Sequence, residues 1–182
     1  MEFKNATLPE ALSAFVLIIK NYQEKKYLPA CSSLGFFSKV VPFFCGLLLK
    51  NITFRITKGG RTFVAKEGNK VVGTVSVEFN PAVLCIDKMF PEELLRIRNE
   101  GRGFAYIGSF AINTTRTRTR TCMIMMRELE TFLRSRKVEV GLCVVNPSHC
   151  GLYQRIGFKV IARTSKMDGL DNAVAVLLAI HS

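Results

Sequence analysis

The order of the periodic segments limits this chain's fold more than any other feature. Two strand-like runs, Arg61–Lys66 and Val71–Phe79, flank Gly68-Asn69, a dipeptide suited to a tight turn, so they form a β-hairpin. Downstream, Phe104–Ile112 reads as a strand and Met123–Arg136 as a helix. Apolar residues 122, 125, 126, 129, 132 and 133 line one face of that helix, and Val138–Val145 reads as a further strand. A strand–helix–strand unit crosses over right-handed and makes its two strands parallel. Behind an antiparallel hairpin this gives an α/β (α+β) chain with one mixed sheet and helices on both faces. Residues 2–6, Lys159–Arg163 and Asn172–Ile180 supply the outer strands. Leu8–Tyr22 (with Pro9 in its first turn), Phe90–Asn99 and Pro147–Ile156 supply the other helices. No internal repeat or polar linker divides the 182 residues, which predicts a single domain over 1–182.

Charge narrows the partners. Twenty-six Lys and Arg against fourteen Asp and Glu leave a net charge of +12, so an acidic partner is expected: nucleic acid, an anionic membrane surface, an acidic protein or a phosphorylated carrier. Two histidines, His149 and His181, cannot build a His-rich metal site, and none of the six cysteines sits in a C-x-x-C pair, so no metal is expected. No signal peptide opens the chain, and the cysteines lie among apolar neighbours, which predicts free thiols in a reducing cytoplasm. Leu34–Leu49 is nearly all apolar but spans 16 residues and contains Lys39 and Pro42. A spanning helix needs roughly 20 apolar residues, so this segment reads as two short buried helical pieces, as the wall of a site for a greasy ligand, or as a membrane-surface contact.

Chemistry concentrates in two stretches. In the first, Arg116, Arg118 and Arg120 alternate with threonines between the strand 104–112 and the helix near 123. A helix start presents free N–H groups, and Arg adds planar donors matched to phosphate and carboxylate oxygens. Seven basic residues face two acidic ones between 116 and 137. Stacking aromatics are not interleaved with them, which argues against single-stranded nucleic acid and for an anionic or acidic partner.

The second stretch is VVNPSHCGLYQRIGFKVI, in which a strand ends at Asn146, a short helix carries Tyr153, and Gly157-Phe158 turns into the next strand. This Asn-x6-Tyr-x3-Gly-Phe pattern resembles the GCN5-related N-acyltransferase (GNAT) superfamily. The resemblance implies a fourth and fifth strand that splay apart to admit the pantetheine arm of a thioester donor. It places Asn146 and Tyr153 near the departing sulfur, with Tyr153 as general acid. Acetyl-CoA enzymes of that superfamily carry a Gly-rich pyrophosphate loop where this chain has RTRTRTC.

Four segments, RTFVAKEGNKVVGTVSV (61–77), MFPEELLRIRNEGRGFAYIGSFAIN (89–113), VVNPSHCGLYQRIGF (144–158) and DNAVAVLLAI (171–180), are similar to the bacterial FeeM-type N-acyl amino acid synthases, relatives of the acyl-homoserine lactone synthases. That resemblance implies a donor carried as the 4'-phosphopantetheine thioester of acyl carrier protein, a long-chain fatty acyl group, and an amino acid acceptor such as tyrosine, with no tightly bound cofactor. An acidic carrier suits a chain of net charge +12, with Arg116, Arg118 and Arg120 as its docking patch and 34–49 as an acyl-chain wall. The main chain of Ile107, Gly108, Ser109, Phe110, Ala111 and Ile112, together with Asn146, would line the donor arm. A bulge in this strand would aim its N–H groups at the developing oxyanion.

The family has Glu two residues before the position of Gly108, where this chain has Tyr106. Glu78, at the end of strand 71–79, is the alternative carboxylate. Between Val77 and Phe79 it is either a base with a raised pKa or a strand-end carboxylate facing water. The candidate catalytic residues are therefore Glu78, Tyr106 and Tyr153. Glu100 and Arg102 read as structural or substrate-orienting, and His149 as a capping or packing residue. The competing readings are an acetyl-CoA-dependent N-acetyltransferase, an acyl-homoserine lactone synthase, and a non-catalytic basic binding module.

Overall fold

The computed structural model describes residues 1–24, 60–81, 86–87, 89–113, 118–145, 147–164 and 175–181. The apolar segment 34–49 and Arg116 lie outside the described residues, as do Asn146 and the side chain of Arg118. The elements are β1 (Glu2–Asn5), α1 (Leu8–Glu24), β2 (Arg61–Glu67), β3 (Lys70–Phe79), α2 (Pro91–Asn99), β4 (Phe104–Ile112), α3 (Arg118–Ser135), β5 (Val140–Val145), a 3-10 turn (Pro147–His149), α4 (Cys150–Gln154), β6 (Lys159–Thr164) and β7 (Ala175–His181). Seven strands form one mixed sheet in the order β1-β2-β3-β4-β5-β7-β6. No helix among the described residues is long and apolar enough to cross a membrane.

The chain divides into two compact units, Met1–Ser76 with Ser109–Cys122 and Val77–Gly108 with Met123–Ser182. In the first, α1 starts with a capping box: Thr7 N–H and Oγ1 both donate to Glu10 Oε2 at 2.9 Å. The other carboxylate oxygen of Glu10 meets Lys66 Nζ at 2.8 Å and Lys4 Nζ at 3.1 Å. These bonds, led by that from Lys66, hold the Glu10 carboxyl far below its usual range. α1 buries Ala14, Leu17 and Ile18 against Val64, Val71 and Ala111. β1 pairs antiparallel with β2, and Phe3 stacks on Phe63 with ring centroids 5.1 Å apart. The hairpin turns at Gly68 with φ +59, at the first central position, where a two-residue turn favours glycine.

In the second unit, α2 begins with Pro91 and keeps Glu92 and Glu93 at its positive end and Arg96 and Arg98 at its negative one. Leu94 and Ile97 of α2 pack with Ile86, Phe90, Phe104, Val140 and Leu142 into one apolar cluster. Arg98 pins the turn ahead of α2 through Asp87, 2.8 Å away. α3 closes at Lys137, φ +56, with Lys137 N donating to Arg134 O (2.9 Å) and Val138 N to Leu133 O (3.1 Å). Then β5 pairs parallel with β4 and antiparallel with β7.

Candidate active site

Main-chain hydrogen bonds fix which residues face one another at the centre of the sheet. Asn80 N donates to Phe104 O at 2.8 Å, which sets Asn80 opposite Phe104 in an antiparallel pairing. Stepping two residues back along β3 and two forward along β4 brings Glu78 opposite Tyr106. The two residues that sequence reasoning offered as alternatives for the amine end of the site are thus cross-strand neighbours, with Cβ atoms about 5.5 Å apart by the geometry of such pairs. Directly opposed residues share a face of the sheet. Phe79 meets Phe132 of α3, with ring centroids 5.9 Å apart, so alternation turns Glu78 to the other face. On that face Tyr106 packs against the α2 cluster.

Glu78 is 5 % exposed. The expectation of a strand-end carboxylate facing water is therefore corrected. β3 is buried along nearly its whole length, and its last residues lie inside the sheet rather than at its rim. The ring of Tyr106 lies close over Gly108, where an added Cβ would come within 3.1 Å of Cε1. Glycine at 108 is what permits that approach.

Toward its far end β4 changes character. Asn113 N donates to Val72 O at 2.8 Å. Between this bond and the one at Asn80, β3 advances eight residues and β4 nine, so β4 carries one extra residue. Ser109 marks the place, with φ +53 where a serine in a strand would be extended. On the opposite edge, the parallel ladder with β5 runs from Phe104↔Val140 to Ile107↔Cys143 and ends there, while β4 continues to Ile112 and β5 to Val145. The parallel pairing of β4 with β5 thus stops at Ile107↔Cys143, just before the bulge at Ser109. Of the residues expected along the donor arm, Ile107, Ala111 and Ile112 are buried, and Gly108, Ser109 and Phe110 are half-buried.

The basic stretch differs from expectation. α3 begins at Arg118, so Arg118 and Arg120 stand in its first turn rather than in a turn between strand and helix. Threonine and arginine carry no apolar periodicity, and the helix is announced only from Thr121 and Cys122 onward, which are buried with Met125, Met126, Leu129 and Leu133. Arg120 is exposed, as docking to a partner requires.

After β5, Tyr153 on α4 is buried and meets the Phe158 ring edge-on at 5.5 Å. α4 closes at Gly157, φ +97, with Phe158 N donating to Tyr153 O (3.1 Å) and Gly157 N to Gln154 O (3.1 Å). Gly157 and Phe158 are thus turn and packing residues. His149 occupies the N-cap of α4 without a side-chain capping bond. Glu100 and Arg102 are ion-paired with each other, which favours the structural reading of that pair. Burial raises the Cys143 thiol far above its ordinary value, so it is an inert packing group. Sequence reasoning passed over Asn80, whose Oδ1 accepts from Phe104 N at 2.8 Å. The Asn-Pro pair at 80–81 was the available signal.

A family profile described as N-acyl amino acid synthase FeeM matches residues 13–181. Among solved structures, FeeM, an N-acyl amino acid synthase from uncultured soil microbes, superposes with a TM-score of 0.74 at 21 % identity, covering 99 % of this chain and 90 % of that one. Ribosomal-protein-alanine N-acetyltransferase from Brucella melitensis follows the same fold at a TM-score of 0.63 and 13 % identity, with 100 % of both chains covered. Aminoglycoside 6'-acetyltransferase type Ii does so at 0.62 and 11 %, covering 100 % of this chain and 97 % of that one. The fold is that of the GNAT acyltransferases. A search of curated proteins returned no significant match.

Proposed function

The chain belongs to the FeeM family of N-acyl amino acid synthases, and on that premise we propose that it moves a long-chain fatty acyl group from the phosphopantetheine thioester of an acyl carrier protein to the α-amine of an amino acid, tyrosine being one candidate acceptor. The observation that carries this reading is the end of the β4–β5 ladder at Ile107↔Cys143, beside the bulge at Ser109. Main-chain groups of β4 past Ile107 have no partner in that ladder, and a pantetheine arm is an amide-bearing chain that can pair with such groups.

The amine attacks the thioester carbonyl, an N–C bond forms, the C–S bond breaks, and the acceptor's ammonium gives up its proton. Glu78 takes that proton, Tyr106 shapes the amine's approach, and Tyr153 protonates the departing sulfur, with Asn146 beside it. Main-chain N–H groups of Ile107–Ile112 stabilise the oxyanion. Arg116, Arg118 and Arg120 attract the acidic carrier, in keeping with the net charge of +12.

The test is to supply acyl carrier protein loaded with a long saturated chain, together with a mixture of amino acids, and to read products by mass spectrometry. A fatty N-acyl amino acid is expected. Acetyl-CoA turnover with no such product overturns the reading. Reversing the charge of Arg120 should raise the KM for the carrier thioester about ten-fold at low salt and leave a small pantetheine thioester unaffected. An equal loss with both donors removes the arginine from the docking patch.

A further inference from the structure

We propose that Asn80 is a positioning residue for the acyl transfer, holding Glu78 in register with Tyr106. This rests on the reading of Glu78 as the base. β3 must leave the sheet directly after Glu78 and Phe79, and Asn80 makes that exit with a left-handed φ of +41, followed by Pro81. Such an exit turns the main-chain carbonyl of residue 80 out of the ladder, and Phe104 N–H would lose its acceptor. The side chain of Asn80 replaces it: Oδ1 accepts from Phe104 N at 2.8 Å while Asn80 N donates to Phe104 O at 2.8 Å. Asparagine thus does two things at one position. It tolerates the left-handed backbone, and it closes the last rung with its own amide.

That rung is two residues from the Glu78–Tyr106 pair on both strands. Phe104 itself is buried in the α2 cluster, so the rung ties β3 to a fixed point. On the other side of the pair the register is already broken by the extra residue at Ser109. Asn80 is therefore the anchor on the regular side: it ties β3 to β4, whereas the nearby Ser76 Oγ meets Thr62 Oγ1 of β2 at 3.1 Å.

Three substitutions separate the two roles. Asn80→Asp keeps an acceptor, Asn80→Gly keeps the backbone freedom and removes the acceptor, and Asn80→Ala removes both. With the full-length protein, the carrier thioester and the acceptor amino acid, kcat should stay within about three-fold of the parent for Asn80→Asp. It should fall about ten-fold for Asn80→Gly and Asn80→Ala with KM unchanged, since a misaligned base slows the chemical step rather than binding. The melting temperature should follow a different order, with Asn80→Gly above Asn80→Ala. A kcat that follows the melting temperature, or an Asn80→Gly enzyme with parental kcat, overturns the proposal. An unchanged rate in Glu78→Gln instead overturns the reading on which it rests.

Discussion

The two halves of β4 follow different rules. Phe104–Ile107 is held on both edges, by β3 through the rung at Asn80 and by β5 through four parallel pairs. Gly108–Ile112 has no pair in the β5 ladder and carries a left-handed serine. The first half fixes side chains, Tyr106 opposite Glu78. The second stands outside the parallel ladder with β5. The hydrogen-bonding pattern thus changes within one continuous strand. The regular and the irregular half meet at one glycine, Gly108.

The sharpest way to break this comparison is at the fixed half. Glu78→Gln keeps the shape and removes the proposed base, so kcat should fall at least about 100-fold with the circular dichroism spectrum unchanged. A smaller loss would move the proton acceptor elsewhere.

At the boundary, Gly108→Ala drives a methyl group toward the Tyr106 ring and should cost about 1 kcal/mol in urea unfolding. Combining it with Tyr106→Ala should recover most of that cost, a coupling of about 1 kcal/mol in a double-mutant cycle. Strict additivity would show that the ring and the glycine do not sense each other.

On the released half, Ser109→Gly relieves the left-handed serine. It should raise the melting temperature by about 2 °C without loss of turnover. Lost turnover would show that the serine side chain takes part in the reaction.

The smallest effect provides a baseline away from β4. Glu10 is depressed below its ordinary pKa of 4.5 by Lys66, Thr7 and Lys4. Its ionised form therefore stabilises the fold at and above that pH, and the contribution disappears as the pH falls below it. The stability gap between the parent and Glu10→Gln should be full at neutral pH and close on acidification. A gap independent of pH would mean that the capping geometry, not the charge, matters.

Much of this fold was legible in the residues because local chemistry specified it. Gly68-Asn69 announced the hairpin, Pro91 with Glu92 and Glu93 announced α2, and the apolar run Phe104–Ile112 matched β4 end to end. The start of α3 was missed by several residues because Thr119 and Thr121 are poor helix formers with no apolar rhythm around them. Of the site, Glu78 and Tyr106 were visible as candidates, but their pairing was not. One extra residue in β4 resets every cross-strand partner beyond it, and nothing in FAYIGSFAI shows which residue takes the left-handed conformation. The burial of Glu78 was equally hidden, since a carboxylate near a strand end looks like one at a sheet's rim.

Two helices of this molecule finish with the same pair of backbone bonds, yet one has Gly157 at the left-handed position and the other Lys137. A lysine there forgoes about 1 kcal/mol that a glycine would keep. The helix end at Lys137 is thus an untapped reserve of thermal robustness, which directed evolution could use to tolerate costly changes made in pursuit of new acceptors.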